Sequence, residues 1–176
     1  HVADAREMTL NGGHQNDITN SAPFSGTVKY KKLFWIDSDI AWEPEDFLKL
    51  YYSDKDIVAG AYLLANGVST LQKTFLGEFY NFNEILSMNE LVEIEGAGFG
   101  FICIKAGVFE SLSRPWFQSA PAEITVAGES YKFNVIGEDL SLCIRAKSVG
   151  FELWADPTVR VNHHKMMKLT WEGIKP

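Results

Sequence analysis

Residues 33–39 read LFWIDSD, a short apolar run that ends in two aspartates separated by one residue. An uninterrupted apolar run of this length is typical of a strand that is buried on both faces, as in a parallel sheet. Side chains two residues apart in a strand point to the same side, so Asp37 and Asp39 can face one volume. Open α/β sheets bind their ligands at the carboxyl ends of such strands. The run therefore predicts a ligand site directly after this strand.

The next two segments predict a strand–helix–strand unit. A helix begins near Pro44, with Glu45 and Asp46 at the positive end of its dipole. The apolar segment 56–62 (DIVAGAY) predicts the second strand. Two strands joined by a helix indicate an α/β fold with a mostly parallel sheet flanked by helices, and we expect a single domain over residues 1–176. Further helices are predicted at 4–10 and 138–149, further strands at 91–94, 101–104, 151–154 and 159–161, a loop or hairpin at 120–128, and irregular structure at 63–89.

Composition excludes several classes of protein. Lys and Arg number 16 against 23 Asp and Glu, giving a net charge of −7, which argues against a nucleic-acid partner. No apolar run approaches the roughly 18 residues that a membrane span needs. Cys103 and Cys143 lie in apolar contexts without CxxC spacing, which predicts two reduced core thiols and a cytoplasmic protein.

Three further patterns contain groups that could take part in chemistry. Glu138 and Asp139 open the clearest amphipathic helix, where they either complement its dipole or supply a general base. Residues 96–100 hold three glycines, which allow close approach of backbone to a ligand or form a plain turn, and they match neither GxGxxG nor a P-loop. His163 and His164 follow a short VRV segment and are either metal ligands or surface histidines.

The carboxylates at 37 and 39 raise the question of a cation. Two neighbouring carboxylates repel each other unless a cation lies between them, and a hard divalent ion such as Mg²⁺ or Mn²⁺ prefers oxygen ligands. An exposed acidic turn is the alternative.

Taken in order, the segments FWIDSDIAW (34–42), DIVAGAY (56–62), EGAGFGFICI (95–104) and GEDLSLCIRAKSVGFELWADPTVRVNHHK (137–165) resemble the GT-A fold glycosyltransferases. The small bacterial and phage members are the most similar. Four elements of that family occur here in family order: a DxD motif, a glycine-rich loop, an xED motif and a C-terminal histidine. The resemblance implies a GT-A type, Rossmann-like, mostly parallel sheet with a small antiparallel portion. The N-terminal strand–helix–strand of the family has no clear counterpart in the 32 residues that precede Leu33.

The resemblance also implies a metal and donor site. Asp39 would bind Mn²⁺ or Mg²⁺ directly, while Asp37 would contact the nucleotide ribose or a metal-bound water. His163 would be a further metal ligand, with His164 as the alternative. Ser38 belongs to the same donor-binding loop.

The remaining roles concern catalysis and the sugar. Asp139 would be the catalytic base of an inverting enzyme, with Glu138 beside it. The helix at 4–10 resembles the nucleotide-proximal helix of the family, which places Arg6 near the donor. Further residues would line the donor sugar and acceptor (Gly96, Ala97 and Gly98), stack on a sugar (Phe99 and Trp154) or, by our own inference, neutralise the diphosphate (Lys165 and Lys168).

The implied activity is transfer of a hexose from a nucleotide diphosphate sugar, a UDP-sugar, to a saccharide or other hydroxyl acceptor. Because a diphosphate must leave, a metal that bridges its oxygens stabilises the developing charge. Two alternatives stay open: a sugar nucleotidyltransferase, and a non-catalytic module that binds a nucleotide or sugar.

Overall fold

A computed structural model describes residues 2–11, 18–75, 77–126, 128–165, 168–170 and 173–175. Its helices are α1 (Val2–Leu10), α2 (Pro44–Tyr52), α3 (Phe82–Ser87) and α4 (Glu138–Ser148), with short 3-10 helices at Pro23–Gly26 and Phe109–Ser111. Its strands are β1 (Lys32–Ile36), β2 (Ile40–Ala41), β3 (Ile57–Ala61), β4 (Val68–Gln72), β5 (Phe79–Asn81), β6 (Val92–Glu93), β7 (Gly96–Ala97), β8 (Phe101–Lys105), β9 (Ala120–Val126), β10 (Glu129–Ile136), β11 (Leu153–Arg160), β12 (Asn162–His163), β13 (Lys168–Thr170) and β14 (Gly173–Lys175).

The central sheet has five strands in the order β1-β8-β3-β11-β6, and it is mostly antiparallel. Strand β8 lies between β1 and β3 and is antiparallel to both, while β11 is parallel to β3 and antiparallel to β6. Among the described strands, β3 with β11 is the one parallel pair. The prediction of a Rossmann-like, mostly parallel sheet is therefore wrong, and the fold is mixed α/β.

The error has a physical cause. The apolar runs at β1 and β3 were expected to be neighbours joined by α2, but hydrophobicity alone does not say which strand pairs with which. Strand β8, which lies about forty residues further along the chain, inserts between them. As a result β1 is an edge strand that is only half-buried along its length, rather than buried on both faces.

The strand directions still bring the predicted site residues to one edge. Because β8 is antiparallel to both of its neighbours, β1 and β3 run in the same direction, and β11 follows β3. The carboxyl ends of β1, β3 and β11 therefore meet at one edge, and β8 begins there. The turn with Asp37 and Asp39, the glycine segment before β8 and the segment with His163 all lie at this edge.

The two faces of the sheet bury separate apolar clusters. Alternate side chains of β3 point to opposite faces, so Ile57 and Ala59 join one cluster while Val58 joins the other. Leu142 of α4 belongs to the first cluster and Leu50 of α2 to the second, and both are fully buried. The helices α4 and α2 are thereby held against opposite faces.

The segment 63–89, predicted to be irregular, contains regular structure. Strands β5, β4 and β7 form a small antiparallel sheet, and α3 follows β5 directly. The Asn81 side chain accepts a hydrogen bond from the Glu84 backbone N–H and caps α3. Two strands of at most five residues and a six-residue helix are too short to produce a clear period in the sequence. The two predicted late strands form the continuous strand β11.

Glu7 attaches α1 to the rest of the molecule. Its carboxylate accepts hydrogen bonds from Arg114 Nε at 2.9 Å, from the Trp116 backbone N–H at 2.8 Å and from the Phe117 backbone N–H at 3.2 Å. Arg6, the preceding residue of α1, contacts Asp37 at the sheet edge described above. The position of Arg6 therefore depends on the Glu7 contacts.

Replacing Glu7 by Gln should lower the free energy of unfolding by about 1–3 kcal/mol, because a neutral amide is a weaker acceptor and turns an N–H toward other donors. Urea denaturation measures the change. The matched control is Glu45→Gln, on the exposed first turn of α2, which should shift stability by no more than about 0.5 kcal/mol. Equal effects of the two substitutions would contradict the assigned role of Glu7.

Candidate active site

Tyr62 lies at the centre of the sheet edge where the strands converge. It follows β3, and its hydroxyl accepts a hydrogen bond from the Gly100 backbone N–H at 3.1 Å. The Gly100 carbonyl in turn accepts from the Asp37 backbone N–H at 3.0 Å. The ring of Tyr62 meets that of His163 edge to face, with centroids 5.2 Å apart. One buried side chain thus connects the turn after β1, the glycine segment before β8 and the segment after β11.

Asp39 and His163 form a close pair. The Asp39 Oδ2 atom lies 3.1 Å from His163 Nε2, and His163 Nδ1 lies 2.9 Å from the Leu63 carbonyl oxygen. A carbonyl oxygen only accepts, so Nδ1 carries the proton, and a neutral ring then turns the lone pair of Nε2 toward the carboxylate. The pair therefore offers a carboxylate oxygen and a ring nitrogen to one shared cation.

Backbone pairing fixes this pair in place. In the β12–β2 ladder His163 is opposite Ile40, the residue after Asp39. The Asp39 carbonyl accepts from the His164 backbone N–H at 2.8 Å. Because both sides of the pair are held by main-chain hydrogen bonds, the spacing of the two side chains is set by the fold.

The charge of Asp39 is compensated by neighbouring side chains. Lys165 Nζ lies 3.2 Å from the same Oδ2 atom that faces His163. Partial burial raises the pKa of Asp39, but the hydrogen bonds and charges of Lys165 and His163 together outweigh it, so the pKa lies below its usual value. Asp39 is therefore held as a carboxylate.

Arg6 joins two other acidic groups. Its Nη2 lies 3.0 Å from Asp37 Oδ1 and its Nη1 lies 3.3 Å from Glu138 Oε1, and the Arg6 side chain is only 9% exposed. The guanidinium carbon lies 5.6 Å from the centre of the Phe99 ring. Phe99 is itself 1% exposed, so its ring is not available as the sugar-stacking face that the sequence suggested.

Asp139 lies at the start of α4, next to this ion pair. Burial raises the pKa of its carboxyl and the charge of Glu138 adds to the rise, while the Leu140 backbone N–H and Arg6 act against it. Burial also raises the pKa of Tyr62, and the charges of Asp37 and Asp139 contribute. Arg6, which contacts both Asp37 and Glu138, brings the turn after β1 and the start of α4 together.

The glycine segment is required by close packing. A Cβ atom at Gly96 would lie 2.7 Å from Leu140 Cδ1, and one at Gly100 would lie 2.7 Å from Tyr62 Cζ. A Cβ atom at Gly98 would collide with the Tyr62 hydroxyl. Ala97, between them, is buried in β7. The glycines therefore let this segment lie directly against Tyr62 and α4.

The other predicted residues lie apart from this cluster or outside what the structure describes. Ser38 is exposed in the turn, and the His164 side chain is exposed as well. Trp154 lies toward the opposite end of β11, with Lys55 Nζ 3.8 Å from its ring centre. The side chain of Lys168 lies outside the described residues. Tyr62 was not predicted as a site residue, because an aromatic residue at the end of a predicted strand carries no distinctive signal.

No group of three or more His, Cys, Asp or Glu side chains is arranged to hold a metal ion within the described parts of the chain. Cys103 and Cys143 are buried free thiols, as predicted, and burial raises the pKa of each to about 12. Over the same residues, no helix has both the length and the apolar character needed to cross a membrane.

Comparison with known proteins gives a likeness of fold. No family profile matches the chain, and no curated protein sequence is similar to it. The crystal structure of A197 from STIV superposes with a TM-score of 0.61 at 22% sequence identity, covering 98% of this chain and 73% of that one. At this level of identity the likeness concerns the mixed α/β fold alone.

Asparagine substitutions at Asp139 and at Asp39 should change the free energy of unfolding in opposite directions when both are measured in EDTA. The folded pKa of Asp139 lies above the ordinary 3.8, so its buried charge costs stability at neutral pH, and Asp139→Asn should raise the free energy of unfolding. That gain should shrink as pH falls through the folded pKa and vanish below 3.8.

The folded pKa of Asp39 lies below 3.8, so its stabilising effect is complete above 3.8 and is lost as pH falls through the folded pKa. Asp39→Asn should therefore lower stability at neutral pH, and only slightly, because the side chain is 43% exposed. Urea denaturation between about pH 3 and pH 7 measures both variants. Shifts in the same direction at neutral pH would contradict the electrostatics described for the site.

Proposed function

We propose that the chain is a metal-dependent glycosyltransferase that moves a hexose from a UDP-sugar or related nucleotide sugar to a hydroxyl acceptor. The observation that carries the proposal is that Asp37, Asp39 and His163 meet at one sheet edge, to which Arg6 joins the start of α4 that carries Asp139. These residues come from three segments that are far apart in the chain, and they are the ones that the resemblance to glycosyltransferases assigns to donor, base and metal.

The Asp39–His163 pair fits a divalent ion that takes two ligands from the protein and the others from a substrate and water. Two adjacent ligands of an octahedral ion, each about 2.1 Å from it, lie roughly 3.0 Å apart, and the two atoms here are separated by 3.1 Å. Histidine ligands commonly donate their other ring N–H to a carbonyl, as His163 does to Leu63. Mg²⁺ and Mn²⁺ usually take few protein ligands and complete their shell with water and phosphate.

Asp39 and His163 would hold this ion, which when bound neutralises the charge that develops on the leaving diphosphate. Lys165 already lies 3.2 Å from Asp39 and adds a positive charge on the same side. Arg6 holds Asp37 and Glu138 at fixed positions, so the donor-binding turn and the start of α4 keep a constant separation. Because the site is rich in carboxylates, binding of an anionic leaving group would depend on the bound ion together with Lys165.

Asp139 would accept the proton of the acceptor hydroxyl. A base is more effective when its pKa approaches the working pH, and burial moves the pKa of Asp139 upward. Asp139 lies in the first turn of α4, next to Leu140, whose side chain packs against Gly96. An inverting transfer needs a base on the side opposite to the leaving group, which is the role proposed for this residue.

A binding module is the second candidate. Lys165 beside Asp39 favours it, since binding of a diphosphate alone would use this charge without any transfer step. Both versions of the proposal have a nucleotide sugar as partner and no nucleic acid. Two reduced thiols are consistent with a cytoplasmic location, which we include in the proposal.

The test is release of nucleoside diphosphate from a panel of nucleotide sugars, with Mn²⁺ and then with EDTA. We expect Mn²⁺-dependent release from at least one donor, and loss of at least about a hundredfold in Asp39→Asn, since the ion stabilises the leaving group by several kcal/mol. Asp139→Asn should bind the donor with unchanged affinity but lose transfer to a similar degree. The control is Asp54→Asn, exposed near the amino end of β3, which should behave as the wild type.

Donor binding without turnover, in a protein that unfolds cooperatively, would favour the binding module. Turnover that EDTA leaves unchanged would contradict the metal role of Asp39 and His163. Full transfer by Asp139→Asn would contradict its role as the base.

A further inference from the structure

A cavity of about 140 Å³ lies beside the candidate active site. It is enclosed by the end of β3, by α3 and by the junction of β11 with β12. Its lining is mostly apolar, and it consists of Ala61, Tyr62, Leu63, Phe82, Ile85, Leu86, Arg160, Val161 and Asn162. This volume suits one ring or a short chain, and an adjoining, more open cavity of about 280 Å³ adds to it.

The cavity is continuous with the proposed metal pair. Leu63 lines it, and the carbonyl of the same residue accepts the hydrogen bond from His163 Nδ1. A second, more open cavity shares Leu63 and Asn162 with the first and extends to His163 and Lys165. A molecule that occupies the first cavity can therefore extend through the second toward the atoms where transfer would take place.

The apolar rim of the cavity is incompletely covered. Phe82 is 50% exposed and Leu86 is 45% exposed, both on α3. Bringing an apolar group against these side chains would remove their surface from water, which contributes about 25 cal/mol for each Å² buried. The rim is therefore suited to an apolar ring or chain.

Arg160 places a positive charge at the same cavity. Its Nε donates to the Pro157 carbonyl at 2.7 Å, and its Nη2 donates to the Ile85 carbonyl at 3.2 Å. Further carbonyls at the end of α3 lie within 3.5 Å of Nη2. Within the described residues no carboxylate lies within ion-pair distance of this guanidinium. Its charge is thus balanced only by carbonyl dipoles, and an anion would find a stronger interaction there.

We propose that this cavity binds the acceptor, and that the acceptor is an apolar organic acid whose ring or chain lies on Phe82 and Leu86 while its carboxylate pairs with Arg160. The identification as acceptor rests on the proposed function, whereas the binding of an apolar acid rests on the cavity alone. The hydroxyl of such an acceptor would extend past Leu63 toward His163 and Asp139.

The experiment uses two probes with the same carbon skeleton, 3-phenylpropionate, which carries a carboxylate, and 3-phenyl-1-propanol, which is neutral. Each is titrated into the full chain in EDTA without donor, and binding is followed by ¹⁵N chemical-shift changes. The acid should bind about tenfold more tightly than the alcohol, a difference of about 1.4 kcal/mol. The largest shifts should include the backbone amides of Leu63 and Leu86.

Leu86→Glu places a negative charge at the exposed rim and should weaken binding of the acid at least tenfold. The matched control is Val28→Glu, a similarly exposed apolar residue before β1, which should leave binding unchanged. Arg160→Gln should bring the affinities for acid and alcohol together. If that variant fails to fold, because Arg160 also holds the end of α3, the Leu86→Glu comparison decides.

Equal binding of the two probes to the wild type, or equal binding of the acid to the Leu86 and Val28 variants, would overturn the proposal. These results are separable from the proposed function. Probe binding without any donor turnover would overturn glycosyl transfer and leave the cavity site intact. Donor turnover without selective probe binding would overturn the cavity site alone.

Discussion

Arg6 donates hydrogen bonds to Asp37 and Glu138 from a position in which only 9% of its side chain is exposed. The rest of the site depends on this interaction. The carboxylates of Asp37, Glu138 and the adjacent Asp139 would repel one another without a buried cation between them. The contacts of Glu7 keep α1, and with it Arg6, at the sheet edge. The position of α1 thereby determines where Arg6 contacts Asp37 and Glu138, which come later in the chain.

The sheet provides the second constraint. Strands β1, β3 and β11 end at one edge, and Tyr62 joins those ends through the Gly100 backbone and the His163 ring. No side chain could replace hydrogen at Gly98 without displacing the Tyr62 hydroxyl. The acidic groups are therefore brought together by main-chain packing, and the Asp39–His163 spacing that suits a divalent ion follows from the β2–β12 ladder.

Local features of the fold could be predicted from the sequence, whereas the pairing of its strands could not. Pro44 with its acidic first turn and the amphipathic run from Glu138 identified α2 and α4, because capping and periodicity are local properties. The insertion of β8 between β1 and β3 is a long-range pairing, and no pattern within a short window encodes it. The site residues were predicted from their order along the chain. Tyr62 was missed because an aromatic residue at the end of a strand has no distinctive signal.

The central claim is that Asp39 and His163 form a divalent-cation site at this edge. Titration of the ¹⁵N-labelled chain with Mn²⁺ tests it directly, since a paramagnetic ion broadens the signals of nearby amides. We expect the amide signals of Asp39 and His163 to broaden first and that of Tyr62 next, and we expect this broadening to disappear in Asp39→Asn. Broadening centred on another acidic segment, such as the first turn of α2, or broadening that survives in Asp39→Asn, would contradict it.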